Sequence, residues 1–126
     1  MSKILIVDDT RIIREGMVRF LEYAFECAVD EACDGLEALA KLESSNYSLV
    51  LMDYEMPTIN GFECVAKIRE IEKVTGIHTP IIGMSASQKL DIKEKCMQAG
   101  MNGYLSKECS NKEIEDEVRK WVVQNH

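Results

Sequence analysis

The chain predicts an α/β fold, a single parallel sheet of five strands with five helices wrapped over both faces. Three observations predict it. Short apolar runs rich in β-branched residues alternate with longer stretches whose apolar residues recur every three or four positions. The apolar runs are almost unbroken by polar residues, as strands buried on both faces require. Cap and turn residues separate the two kinds of segment throughout. The run Leu49-Val50-Leu51-Met52 organises the rest, because it ends abruptly at an acid, Asp53. An aspartate at the carboxyl end of a buried parallel strand points into the crevice where open α/β sheets bind ligands. Taken alone, Asp53 reads more readily as one of the aspartates that commonly close strands and cap helices.

The elements follow in order. Ile4-Leu5-Ile6-Val7 is a buried strand closed by Asp8 and Asp9. Thr10 is placed to cap a helix over residues 11 to 24, whose face carries Ile13, Met17, Phe20, Leu21 and Ala24. Cys27 to Ala32 is a second strand, set at an edge because Asp30 and Glu31 interrupt it. Asp34-Gly35 reads as a turn, and Leu36, Leu39, Ala40 and Leu42 as a short helix ending at Ser44-Ser45-Asn46. After the third strand, Asn60 and Glu63 form a capping box. The helix it opens, with Phe62, Val65, Ala66 and Arg69 on one face, runs to about Lys73 and is broken at Thr75-Gly76. Pro80 to Met84 is the fourth strand, ending at Ser85. Ile92, Cys96 and Ala99 mark the fourth helix, and Gly100 suits its C-terminal cap. Gly103-Tyr104-Leu105 is a brief fifth strand closed by Ser106-Lys107. Ser110 and Glu113 make a second capping box before Ile114, Val118, Trp121 and Val122.

Composition narrows the function. A chain of 126 residues with 46% hydrophobic and 29% charged side chains is expected to form one domain, spanning 1–126. The net charge of −7 lacks the basic face that direct nucleic-acid binding needs. No apolar run has the length of a membrane span, and Met1-Ser2-Lys3 leads straight into a strand without a signal peptide, so a cytoplasmic protein is expected. The five cysteines, Cys27, Cys33, Cys64, Cys96 and Cys109, are odd in number and lack Cys-x-x-Cys spacing, so they are read mostly as small core residues of a reducing compartment. With His78 in a loop and His126 at the terminus, histidine-based catalysis is not expected.

In a parallel sheet all strand ends point the same way. Asp8, Asp9, Asp53, Ser85 and Lys107 therefore converge on one edge although they lie far apart in the chain. Three carboxylates this close repel one another, and a divalent cation would relieve them. Mg²⁺ suits one or two carboxylates together with phosphate oxygens and water. Lys107 can pair with Asp53 or with a phosphoryl oxygen, and Ser85 offers a hydroxyl. This set suits phosphoryl transfer to Asp53, a reaction that needs mainly positioning and charge neutralisation.

Together, Ile4-Leu5-Ile6-Val7-Asp8-Asp9, Met52-Asp53-Tyr54-Glu55-Met56-Pro57 with Gly61, Met84-Ser85-Ala86 and Gly103-Tyr104-Leu105-Ser106-Lys107 resemble a response-regulator receiver domain of two-component signalling, in the CheY-like superfamily. The resemblance implies a flavodoxin-like sheet with strand order 2-1-3-4-5. It implies that Asp53 is the phosphoacceptor, that Asp8, Asp9 and Asp53 hold Mg²⁺ with the backbone carbonyl of Glu55, and that Lys107 contacts the phosphoryl group. Ser85 would bond a phosphoryl oxygen and draw its loop inward, with Tyr104 turning inward as an aromatic switch. Glu55 and Ser87 would tune the lifetime of the phosphoryl group. The implied donor is a phosphohistidine on a sensor histidine kinase or a histidine phosphotransfer protein. The face of the fourth helix, fifth strand and fifth helix, with Lys89, Lys93, Met97 and Tyr104, would meet a downstream protein or a second copy in a phosphorylation-dependent homodimer. Met97 reads equally well as plain core. Such a protein is a switch and not an enzyme, catalysing only its own phosphorylation and dephosphorylation.

Two departures stand out. Ser85 replaces the threonine also common at its position and keeps the hydroxyl. Glu108 follows Lys107 where the family usually has proline. A cis peptide there costs about 3 kcal/mol without proline, so the loop is expected to be trans and to place Lys107 differently. Rival readings are an aspartate-nucleophile, Mg²⁺-dependent phosphatase of the haloacid-dehalogenase type and a flavin-binding module. The first would carry Asp-x-Asp on its first strand; in the second, Asp8-Asp9 would repel the phosphate. The chain could also be a receiver cut from a longer regulator or hybrid kinase, although Met1 just before the first strand suggests a natural start and no output domain is visible within it.

Overall fold

A computed structural model describes residues 3–56, 59–86 and 91–122. Five strands alternate with five helices: β1 (Lys3–Val7), α1 (Arg11–Phe25), β2 (Ala28–Ala32), α2 (Gly35–Ser44), β3 (Leu49–Asp53), α3 (Gly61–Thr75), β4 (Ile81–Ser85), α4 (Ile92–Gln98), β5 (Gly103–Ser106) and α5 (Asn111–Arg119). The strands form one parallel sheet in the order β2-β1-β3-β4-β5, the expected flavodoxin-like order. β2 is an edge strand, and its Asp30 and Glu31 are half-buried.

Strand periodicity splits the apolar runs between two cores. Leu5, Val7, Val50 and Met52 face α2, α3 and α4, where Ala38, Cys64, Val65, Ile68, Ile92 and Cys96 meet them. Ile4, Ile6, Leu49 and Leu51 face the other way, onto Leu21 and Phe25 of α1 and Ile114 and Val118 of α5. Every residue of β3 and β4 is buried. Being covered on both sides is what makes these strands read as continuous apolar runs.

Several helical faces differ from expectation. Thr10 precedes α1, but its side chain makes no cap bond; its N–H instead donates to Asp8 Oδ1 at 2.8 Å. Asp34-Gly35 is a helix start rather than a free turn, since Asp34 Oδ1 accepts from the N–H of Glu37 at 2.8 Å. That start turns Leu36 outward, 53% exposed, so Ala38, Leu39 and Leu42 make the inner face of α2 and Ala40 does not. Ile13 is likewise exposed on α1. On α3, Ala66 is exposed, and Arg69 is a polar hub rather than part of an apolar stripe. Both capping boxes are present, at Asn60 with Glu63 and at Ser110 with Glu113. The helix of α5 ends at Arg119, and Trp121 and Val122 lie in the turn beyond it, where Val122 still reaches the core. All five cysteines are free; Cys64 and Cys96 are buried, Cys27 and Cys109 half-buried and Cys33 exposed, so only two are true core residues.

Candidate phosphoacceptor site

The carboxyl edge of the sheet gathers the acids. Asp8 follows the last residue of β1, and Asp53 is the last residue of β3. They are 5% and 3% exposed, whereas Asp9 is exposed to solvent. Carboxylate oxygens of Asp8, Asp9 and Asp53 lie within 4.8 Å of one another. Lys107, immediately after β5, reaches across to them: its Nζ is 3.0 Å from Asp8 Oδ2 and 3.0 Å from Asp53 Oδ2. One ammonium thus faces three carboxylates, and the site keeps an excess of negative charge. An all-oxygen donor set with that excess fits a hard divalent cation such as Mg²⁺.

Local backbone geometry aims each group. Asp53 Oδ1 accepts the N–H of Glu55 at 3.0 Å, leaving Oδ2 to Lys107. The N–H of Tyr54 donates to the Met84 carbonyl, and the N–H of Gly61 to the Tyr54 carbonyl, so the loop after β3 folds back on the strand end. A Cβ on Gly61 would sit 2.8 Å from both the Asp53 carbonyl oxygen and Tyr54 Cα. Only glycine allows α3 to start this close to the acceptor.

Burial and charge act on Asp53 in opposite directions. Desolvation raises its pKa, the bonds from Lys107 and from the N–H of Glu55 lower it and the Asp8 charge adds to the rise, and the balance leaves it at about 6. For Lys107, burial works against the cation, but its bonds to Asp53 and Asp8 outweigh that and lift its pKa above that of an ordinary lysine.

The other expected residues are placed as follows. Ser85 ends β4, fully buried, one step beyond Met84, the register partner of Asp53. Tyr104 is half-buried in β5, opposite Gly83, and packs on the core shared with α4, outside the carboxylate cluster. Glu55 projects to solvent and contributes its N–H to Asp53. Lys93 and Met97 are exposed on α4, with Met97 at 46%, so it is not plain core. Ser87 and Lys89 lie outside the described residues. Among the described residues no peptide is cis. The peptide after Lys107 is trans, as expected from Glu108, and Lys107 still reaches Asp53 and Asp8. The N–H of Lys107 donates to the Ser85 carbonyl at 2.9 Å and that of Glu108 to Ser106 Oγ at 3.1 Å, and these bonds pin the loop to the sheet edge.

One contributor escaped the sequence reading. Arg14 of α1 donates from Nη1 to the Asp8 carbonyl at 2.9 Å and from Nε to Glu31 Oε1 at 2.9 Å. An arginine one turn into an amphipathic helix gives no signal that separates it from a solvated face residue.

A family model for the response regulator receiver domain matches residues 4–119. The chain belongs to that family. It is 36% identical over 125 residues to hybrid signal transduction histidine kinase C of Dictyostelium discoideum, covering 95% of this chain but 10% of that protein. It is 31% identical over 118 residues to the chemotaxis protein CheY of Pseudomonas aeruginosa, covering 94% of each. Among solved structures, it matches the co-crystal structure of the Saccharomyces cerevisiae phosphotransfer protein Ypd1 with the receiver domain of Ssk1, at a TM-score of 0.88 and 26% identity, covering 95% of this chain and 88% of that one. The chain spans a tenth or less of the length of the hybrid kinases it resembles. This receiver domain is therefore a two-component signalling module of a family of phosphoacceptor switches rather than turnover enzymes. Receiver domains generally use Mg²⁺, and the acidic cluster here could hold it. No helix among the described residues is long and apolar enough to cross a membrane.

Proposed function

We propose that Asp53 accepts a phosphoryl group from a phosphohistidine on a partner kinase or phosphotransfer protein, and that this shifts the receiver to a second arrangement of its α4–β5–α5 face. The observation that carries the reading is the buried Asp53 carboxylate sharing one ammonium, that of Lys107, with Asp8 at 3.0 Å on each side. In the transfer, the N–P bond of the donor breaks and an O–P bond to Asp53 forms, leaving the histidine ring free. Lys107 passes from holding a carboxylate to holding a phosphoryl oxygen, and the Ser85 hydroxyl donates to another. Asp8, Asp9, Asp53 and the Glu55 carbonyl would hold Mg²⁺, which supplies charge neutralisation for the transferring group. Glu55 and Ser87 would govern how quickly water removes it.

The added charge favours whichever arrangement brings Ser85 and Lys107 onto the phosphoryl group, so phosphorylation acts by shifting a population. Tyr104 would follow the Ser85 loop inward, and Lys93 and Met97 would border the surface read by a downstream protein or a second phosphorylated copy. A cytosolic location fits this role and the five free cysteines. The test is intact mass after incubation with Mg²⁺ and acetyl phosphate, beside Asp53→Asn. One phosphoryl adduct on the parent and none on the variant is the expected result. An adduct on both would show that Asp53 is not the acceptor, and none on either would make this a degenerate receiver.

A further inference from the structure

Asp9 supplies one of the three clustered carboxylates, yet it is exposed, and no hydrogen bond holds its side chain among the described residues. Its position depends on the peptide plane between Asp8 and Asp9. The backbone is held on both sides of Asp8, and of the two bonds it is the one to the Asp8 carbonyl that holds this plane. The N–H of Asp8 donates to the Ala32 carbonyl of β2 at 3.1 Å, and the Asp8 carbonyl accepts from Arg14 Nη1 at 2.9 Å. Arg14 is itself anchored to β2 by its Nε–Glu31 bond, and its side chain is only 15% exposed. A planar guanidinium that bonds a carbonyl with one nitrogen and a carboxylate with another has little freedom to drift.

We propose that Arg14 is a positioning residue for the acidic pair, holding the Asp8 carbonyl so that Asp9 is aligned with Asp8 and Asp53 for a divalent cation. The inference rests on the Mg²⁺ reading above and deepens it. Charge alone argues the other way. Arg14 is a cation beside a cation site, so on Coulombic grounds its loss tightens Mg²⁺ binding. Glu31 offsets that repulsion, leaving the positioning effect to dominate. Removing groups that orient metal-binding side chains typically weakens metal affinity by roughly tenfold or more.

The test is a calorimetric titration of the intact protein with Mg²⁺, for the parent, Arg14→Met, Arg14→Lys and Asp9→Asn, each with its thermal midpoint. Arg14→Met is expected to bind Mg²⁺ roughly tenfold more weakly. Arg14→Lys keeps the charge but lacks the fork, and is expected to weaken binding as well. In acetyl phosphate labelling, both should need more Mg²⁺ for half-maximal rate yet approach the parent's rate at saturation, a split that a general loss of stability would not produce. Unchanged or tighter binding in Arg14→Met overturns the proposal, as does full rescue by lysine; if Arg14→Met does not fold, the lysine variant decides alone. Should Asp9→Asn abolish binding while both Arg14 variants match the parent, the Mg²⁺ reading stands and this inference falls. A parent that binds no Mg²⁺ removes both.

Discussion

Asp53 must be ionised to attack phosphorus, and burial opposes ionisation. With its pKa raised to about 6, the rate of labelling by acetyl phosphate at low Mg²⁺ should climb through about pH 6 and level off above it. Because a bound cation favours the carboxylate, the midpoint should move to lower pH as Mg²⁺ is added; a profile that is flat between about pH 5 and 7 would contradict this. Lys107 has the opposite task, keeping two buried carboxylates compatible. Lys107→Met leaves Asp8 and Asp53 without their shared cation, and should cost about 3 kcal/mol in urea unfolding, partly restored by Mg²⁺. Glu55 bonds Asp53 only through its backbone, so Glu55→Asn should preserve phosphorylation while changing the lifetime of the phosphoryl group. An unchanged lifetime would remove Glu55 from that role.

At the scale of the element, Gly61 shows how a helix start can limit a site. Its missing Cβ lets α3 begin against the Asp53–Tyr54 backbone, where neither neighbour can yield as a flexible side chain could. Gly61→Ala should therefore destabilise by about 1–3 kcal/mol and slow labelling at Asp53, seen in chemical unfolding and intact mass together. Two turns further along α3, Arg69 donates to the carbonyls of Gly100 and Thr79 and to Asn102 Oδ1, while pairing with Glu72 at 2.6 Å. Gly100 takes a φ of 104°, a left-handed conformation that glycine adopts readily, and turns its carbonyl toward that guanidinium. The α3 periodicity put Arg69 beside Val65 without revealing this. Apart from Glu72, its partners lie 10 to 33 residues further along the chain, beyond the reach of any local pattern.

For the whole molecule, the strain in the site becomes a pH dependence of stability. Asp53 binds its proton more tightly folded than unfolded. Between its unfolded value near 4 and its folded value near 6, the native state therefore holds more protons, and stability falls as pH rises through that window. Above it the penalty is complete. Without divalent cations, Asp53→Asn should raise stability at neutral pH by about 1–2 kcal/mol and flatten this part of the pH profile. Mg²⁺ should stabilise the parent more than the variant, by mass action on the folded state. A variant less stable than the parent across the whole range would show that the Lys107 pair outweighs desolvation.

The order of elements, the parallel sheet and the strand-end acids could be read from the chain, because a strand buried on both faces must be apolar along its length and its first polar residue marks its end. Leu49 to Met52 followed by Asp53 is that rule in one segment. The capping boxes were legible for a similar reason, since each bonds over only three residues. The packing of helix faces was less legible. Leu36, Ala40 and Ala66 have the composition of inner positions, but their exposure depends on where each helix starts and how it lies on the sheet. The roles of Arg14 and Arg69, and the second pairing of Lys107 with Asp8, had to await the fold. Each acts through a partner brought close by the winding of the chain, and the distance that gives it a role does not exist until the strands have paired.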